Sequence, residues 1–282
     1  MAARLEFLKL IPYGFIVTRS WLMREGVKRH TIDNWLKSGK LISLAAGVYI
    51  RPDSPKPKWQ NVICSLQRMG MKITPGGLTA IEMLGRAHYL PLSENKLVYL
   101  YGSFRLPAWV KIILPNIRFI QRNSLRIFTT NQLQEFSMEL IWSHDEWPLI
   151  ISAPERAFFE IFYEMPDYIS FEHAHQLIEG ANTLCPKKIN ALLKVTKNIK
   201  TKRLFLWFAE RHQHTWLKHL DKYDMNSGAL GSGNAILFIN QHWHIEAEFL
   251  YRCSGLLYLL FVVDFAVSLI RDEFINISAF DA

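Results

Sequence analysis

The stretch Thr18–Arg51, TRSWLMREGVKRHTIDNWLKSGKLISLAAGVYIR, constrains the fold of this chain more than any other. Thr18 is a good N-cap, because its hydroxyl can accept from an orphaned amide of the first helical turn. A short helix through Trp21 and Leu22 then ends at Gly26. A second helix, from about Lys28 to Ser38, is closed by Gly39, the residue best suited to a left-handed C-cap. Leu41, Ile42 and Leu44, a break at Gly47, and Val48, Tyr49 and Ile50 read as a hairpin. Helix, glycine turn, helix, hairpin is the order of a winged helix-turn-helix.

At 100° per residue, Ile32, Trp35 and Leu36 fall on one narrow face of the second helix and are expected to pack inward. His30, Asn34 and Lys37 lie opposite, with Thr31 and Asp33 on the flanks. Such an outward set suits base edges, since Asn pairs with adenine and Lys with guanine. Lys28, Arg29, Lys40 and Arg51 are placed to meet phosphates on either side of a groove. A helical hairpin with a solvated charged face has the same pattern, so the motif alone leaves both readings open.

A chain of 282 residues, half of them apolar and 13% aromatic, can bury a substantial core. Its formal charge of +8 favours a polyanionic partner. Cys64, Cys185 and Cys253 are isolated, with no C-x-x-C pair, which argues against structural zinc and a disulfide framework and for a reducing cytoplasm. The opening MAARLEFLKL has too short an apolar run for a signal peptide.

In chain order, residues 1–12 read as a first helix ended by Pro12, completing a winged domain over 1–51. RPDSPKPKW reads as a linker, 52–58. A helix is expected from Trp59 to Met69, then an extended piece at Lys72 and Ile73, then a glycine turn at Gly76–Gly77 opening another helix. Strand-like runs at Leu97–Tyr101, Ile117–Gln121, Phe136–Trp142 and Leu149–Ile151 suggest a small, mostly antiparallel sheet. Arg105, Lys111, Arg118, Arg122 and Arg126 accumulate there without an acid between Glu94 and Glu135, which suits a solvated sheet face somewhat better than a second nucleic-acid surface. In SAPERAFFEIFYEMP, Ser152 is expected to cap a helix that has Pro154 in its first turn. Helices over Ser170–Gly180, Pro186–Lys197 and Lys200–His212 are expected to form a bundle. Lys187, Lys188, Lys194, Lys197, Lys200, Lys202 and Arg203 form the densest basic run. It fits either a surface for nucleic acid or an acidic protein, or the solvated outside of two helices. The expected class is α+β: an N-terminal winged helix-turn-helix followed by a mixed α/β domain that ends in a helical bundle.

With these pieces in order (SWL, GV, WLKSGKL and GVYIRP, then WQNVICSLQ, PGGLTAIEMLGRAHYLPL, LPAWV, SAPERAFFEIFYEMP, FEHAHQLIEG and KTKRLFLWFAERHQHTWLKHLD) the chain resembles the AbiEi family of antitoxins and transcriptional regulators. The resemblance runs from about residue 10 to 224. It implies an N-terminal domain that represses its own operon. It also implies a domain over 59–224 that counters an AbiEii-like nucleotidyltransferase toxin without a stable complex. Two departures stand out. Ala45 and Ala46 precede Gly47 where the family carries a basic wing residue. The tail, 225–282, replaces the family's short closing strand with GSGNAILFINQHWHIEAEFLYRCSG and an apolar run, Leu256–Ile270. As a helix that run would be roughly 22 Å long, against a hydrocarbon core of about 30 Å, and Asp264 interrupts it. No membrane span is expected.

No enzymatic chemistry is legible. His173/His175, His212/His214 and His242/His244 lack the Cys or carboxylate of a recognised zinc spacing, so neither metal nor cofactor is expected. GALGSG faintly resembles the Gly-Ser of nucleotidyltransferases, but the paired Mg²⁺ aspartates do not follow it. Asp145, Glu146 and Glu155 would suit a nuclease guided by the same winged domain, yet no Lys is spaced to complete the set. Three readings follow: an antitoxin and autorepressor, a DNA-processing enzyme, or a ligand-responsive transcription factor with no toxin.

Overall fold

The computed structural model describes residues 7, 10–52, 54–85, 96–130, 132–142 and 148–221, and these form a mixed α+β structure. The expectations for the tail after residue 221, including the apolar run and His242/His244, lie outside the described residues, as does most of the segment 1–9. No helix among the described residues is long and apolar enough to cross a membrane.

Strand β1 (Val17–Thr18) leads into α1 (Arg19–Arg24), and α2 (Arg29–Lys37) follows after a glycine turn. Thr18 Oγ1 accepts from Trp21 N–H at 3.2 Å, the expected cap. Strands β2 (Ile42–Ala45) and β3 (Val48–Ile50) form the hairpin. β1 is an addition to the sequence reading: it pairs antiparallel with β3, giving the order β1-β3-β2. Phe7 and Leu10 are helical and pack beside α2, with the Phe7 and Trp35 rings edge to face at 4.7 Å.

Alternation along β3 joins two cores. Successive strand side chains point to opposite faces. Tyr49 therefore enters a small cluster with Ile11, Phe15, Trp21, Leu22, Ile32 and Leu41, while Val48 and Ile50 enter the main core. Ile16 does the same between Phe15 and Val17, and its N–H donates to buried Ser65 Oγ at 2.9 Å. The proline-rich stretch is irregular, as expected, but the elements before and after it share this core.

Helix α3 (Trp59–Arg68), strand β4 (Ile73–Pro75) and helix α4 (Leu78–Met83) come next. β5 (Lys96–Gly102) pairs antiparallel with β4 but parallel with β6 (Ile117–Arg122), and the crossover carries helix α5 (Ala108–Ile113). This corrects the expectation of one mostly antiparallel sheet. β7 (Ser137–Leu140) and β8 (Leu149–Ser152) form a separate antiparallel pair. Parallel strands need a crossover long enough to return the chain, and the segment between β5 and β6 supplies it.

Helices α6 (Pro154–Glu164), α7 (Phe171–Glu179), α8 (Pro186–Val195) and α9 (Ile199–Arg211) close the structure as the expected bundle. Phe159, Phe162, Phe205 and Phe208 are buried at its centre, with Phe159 and Phe205 stacked at 4.5 Å. One local expectation fails here. Ala153, not Ser152, is the N-cap of α6; Ser152 ends β8 and its hydroxyl bonds Glu160 Oε1 at 3.2 Å. The pull of the buried carboxylate replaces the cap.

Candidate nucleic-acid interface

Both helices of the N-terminal pair end in the same way. Gly26 and Gly39 have φ of +86° and +68°, values that L side chains rarely adopt. Gly39 N–H donates to Leu36 O at 3.2 Å and Lys40 N–H to Trp35 O at 2.8 Å, the paired bonds of a Schellman closure. Gly26 and Val27 repeat the pattern onto Met23 and Leu22. Ile32 is fully buried and Trp35 and Leu36 are half-buried against the small core, as the helical spacing predicts.

On the other side of α2, Arg29, His30, Asn34 and Lys37 are exposed and Thr31 is half-buried. Lys28, the N-cap residue, and Lys40, just past the closure, are also exposed, while Arg51 is half-buried at the end of β3. Arg19 was not singled out from sequence. Its Nε donates to Tyr49 Oη at 2.9 Å and its Nη2 to Asp33 Oδ1 at 2.8 Å, so one side chain ties α1, α2 and β3 together. These bonds, Tyr49 first and then Asp33, hold the guanidinium more firmly in its charged form. The hairpin tip, Ala45–Ala46–Gly47, carries no charge, and Gly47 O accepts from Arg19 N–H at 2.8 Å. The tip therefore offers no cationic side chain.

The second basic run is divided between two helices and the turn that joins them. Lys187, Lys188 and Lys194 belong to α8, Lys197 to the turn, and Lys200, Lys202 and Arg203 to α9. Lys187, Lys194 and Lys197 are exposed, whereas Lys188, Lys202 and Arg203 are half-buried. Lys194 pairs with Asp221 at 3.4 Å. Lys200 turns inward, donating to Met165 O at 2.7 Å and Tyr163 O at 3.2 Å, where it satisfies carbonyls at the end of α6. Burial lowers its pKa.

The buried polar groups serve the scaffold. Glu160, inaccessible to solvent, accepts from Arg156 Nε at 2.7 Å, Gly77 N–H at 2.8 Å and the Ser152 hydroxyl. The glycine turn read from the sequence thus holds the protein's own carboxylate. Gly76 has no room for a side chain, because a Cβ would strike Glu160 Oε2 and Ser152 Oγ. Arg122, within the basic accumulation before Glu135, forms a two-pronged pair with Glu164 (Nε–Oε1 and Nη2–Oε2, both 2.8 Å). Glu155 is buried and accepts from Cys185 N–H at 2.8 Å, while Asp145 and Glu146 lie outside the described residues. His175 Nδ1 and His212 Nε2 are 3.1 Å apart, and His214 bonds Ile178 O and Asn182. Among the described residues, no group of three or more His, Cys, Asp or Glu side chains is arranged to hold a metal ion.

Residues 4–92 match the family model described as the transcriptional regulator, AbiEi antitoxin N-terminal domain. Residues 95–236 match the model described as the transcriptional regulator, AbiEi antitoxin, type IV TA system. The RV2827C protein from Mycobacterium tuberculosis, known as a crystal structure, is similar at 11% identity and a TM-score of 0.48, over 73% of this chain and 77% of that one. No curated protein matches the sequence. With the two family models together spanning residues 4–236, the chain belongs to the AbiEi family of antitoxins and transcriptional regulators of type IV toxin–antitoxin systems.

Proposed function

We propose that residues 1–51 form a winged helix that places α2 in the major groove of operator DNA upstream of the protein's own operon. On this reading the chain is a cytoplasmic autorepressor, and residues 59–224 counter an AbiEii-like nucleotidyltransferase toxin without a stable complex. What carries the reading is one observation. The side of α2 that bears Arg29, His30, Asn34 and Lys37 is open to solvent, while Ile32 is sealed into the core behind it. Asn34 and Lys37 are one helical turn apart, which suits neighbouring base edges. Lys28, Arg29 and Lys40 flank them for phosphate contacts.

Fluorescence anisotropy of the full chain on its promoter and on a scrambled duplex tests this. Lys37→Glu or Arg29→Glu is expected to remove promoter preference while far-UV circular dichroism stays unchanged. Asn34→Ala is expected to weaken the promoter complex by about 1–3 kcal/mol and relax one base position. Equal affinity of the native chain for both duplexes defeats the reading. The antitoxin role is tested separately, by co-expression with the neighbouring nucleotidyltransferase and scoring of growth.

A further inference from the structure

A cavity of about 530 Å³ opens between the β4–β5 edge and the β7–β8 pair, a size common for small-molecule sites. Its walls are mostly apolar, with Met71, Leu133 and Met138 among them, and Arg156 lines it too. The Arg156 side chain as a whole is only 3% exposed. Nε is used by Glu160 at 2.7 Å and Nη1 by Ser137 Oγ at 3.1 Å. Nη2 has no acceptor among the described residues, and Arg156 is part of the cavity wall. A charged donor with no protein acceptor, on a side chain otherwise so enclosed, suits an anionic oxygen, because hydrogen bonds between ionised partners are the stronger ones.

We propose that the cavity is a binding site for a small apolar carboxylate, the acid accepting from Arg156 Nη2 and the hydrocarbon lying against Met71, Leu133 and Met138. Glu160 already balances the Arg156 charge, so the directional donor, rather than net charge, selects the head group. At the rim Lys72 favours an anion and Glu139 opposes it. Nothing in this site depends on contact with DNA.

Isothermal titration of the full chain with 1-naphthoate is the test, with 1-naphthalenemethanol as the uncharged comparator. One saturable site is expected, with the alcohol about tenfold weaker or more. Arg156→Lys keeps a cation beside Glu160 but loses the free fork, and is expected to reduce the acid to the level of the alcohol. Met138→Trp, at a half-buried wall position, is expected to fill the cavity and remove binding of both, with an unchanged melting temperature. If Arg156→Lys does not fold, Met138→Trp decides alone. Absence of saturable binding, equal affinity for acid and alcohol, or binding untouched by Met138→Trp each overturns the proposal.

Discussion

Arg19 Nη2 lies 2.8 Å from Asp33 Oδ1, joining the first residue of α1 to the middle of α2, while its Nε reaches Tyr49 on the hairpin. Both side chains of the ion pair are partly exposed, so water competes for the charges and little stability depends on them. Their effect is on the orientation of α2. Asp33→Asn is expected to leave the thermal midpoint nearly unchanged but to narrow the ratio of promoter to scrambled-duplex affinity. Anisotropy at fixed salt measures that ratio, and an unaltered value would show that α2 is oriented without Arg19.

Gly76 tests the buried carboxylate. An added methyl meets Glu160 Oε2, Ser152 Oγ and the Tyr101 ring, all of them enclosed. Gly76→Ala is expected to destabilise by about 1–3 kcal/mol, as for overpacking elsewhere. Gly180→Ala is the control: Gly180 has φ of −75° and only Leu177 O at 3.9 Å near the new Cβ. Urea unfolding of both variants distinguishes local crowding from a general sensitivity to glycine loss.

Cys64 should be slow to react. It is buried, its Sγ faces Pro148 O at 3.7 Å, and burial pushes its pKa up to about 11. The thiolate is the nucleophile, so alkylation of the folded chain is limited by a very small ionised fraction. In a Cys253→Ser background at pH near 8, iodoacetamide is expected to label the more accessible Cys185 well before Cys64, as read by peptide mass. Comparable rates would place Cys64 at the surface.

Acid should weaken the α7–α9 region. Burial, and then the neighbouring His175 and His214, hold His212 below its ordinary value of 6.5; burial does the same to His214. The unfolded chain therefore binds more protons than the folded one as pH falls through that value. The stability contributed by the neutral rings is complete above 6.5 and is lost on acidification toward the lower folded pKa. We expect the melting temperature to fall between about pH 7 and pH 5, with a shallower slope for His212→Gln. Parallel slopes for the two proteins would remove His212 from the account.

The local elements of the N-terminal segment were legible because each rests on neighbours in the chain. Thr18 caps the helix it precedes, Gly26 and Gly39 close helices they directly follow, and Ile32, Trp35 and Leu36 share a face by helical period. The strand direction of β5 and β6 was not legible, since it depends on a crossover whose only local sign is a short helix at Ala108–Ile113. The same limit separates Lys200 from its neighbours. In the sequence it is one cation among seven in a basic run. In space it meets the carbonyls of Tyr163 and Met165, more than thirty residues away.

The order of amino acids by itself determined most of the helices and the hairpin after α2, which face of α2 is apolar, and the family to which the chain belongs. These follow from hydrogen bonds and side-chain periods spanning a few residues. Tertiary structure alone decided that β3 joins two cores, that Glu160 seats the glycine turn and pulls Ser152 from its capping role, and that Arg156 lines a cavity. Those outcomes depend on burial, and what surrounds a charged or polar group in the interior is supplied by residues far away in the chain.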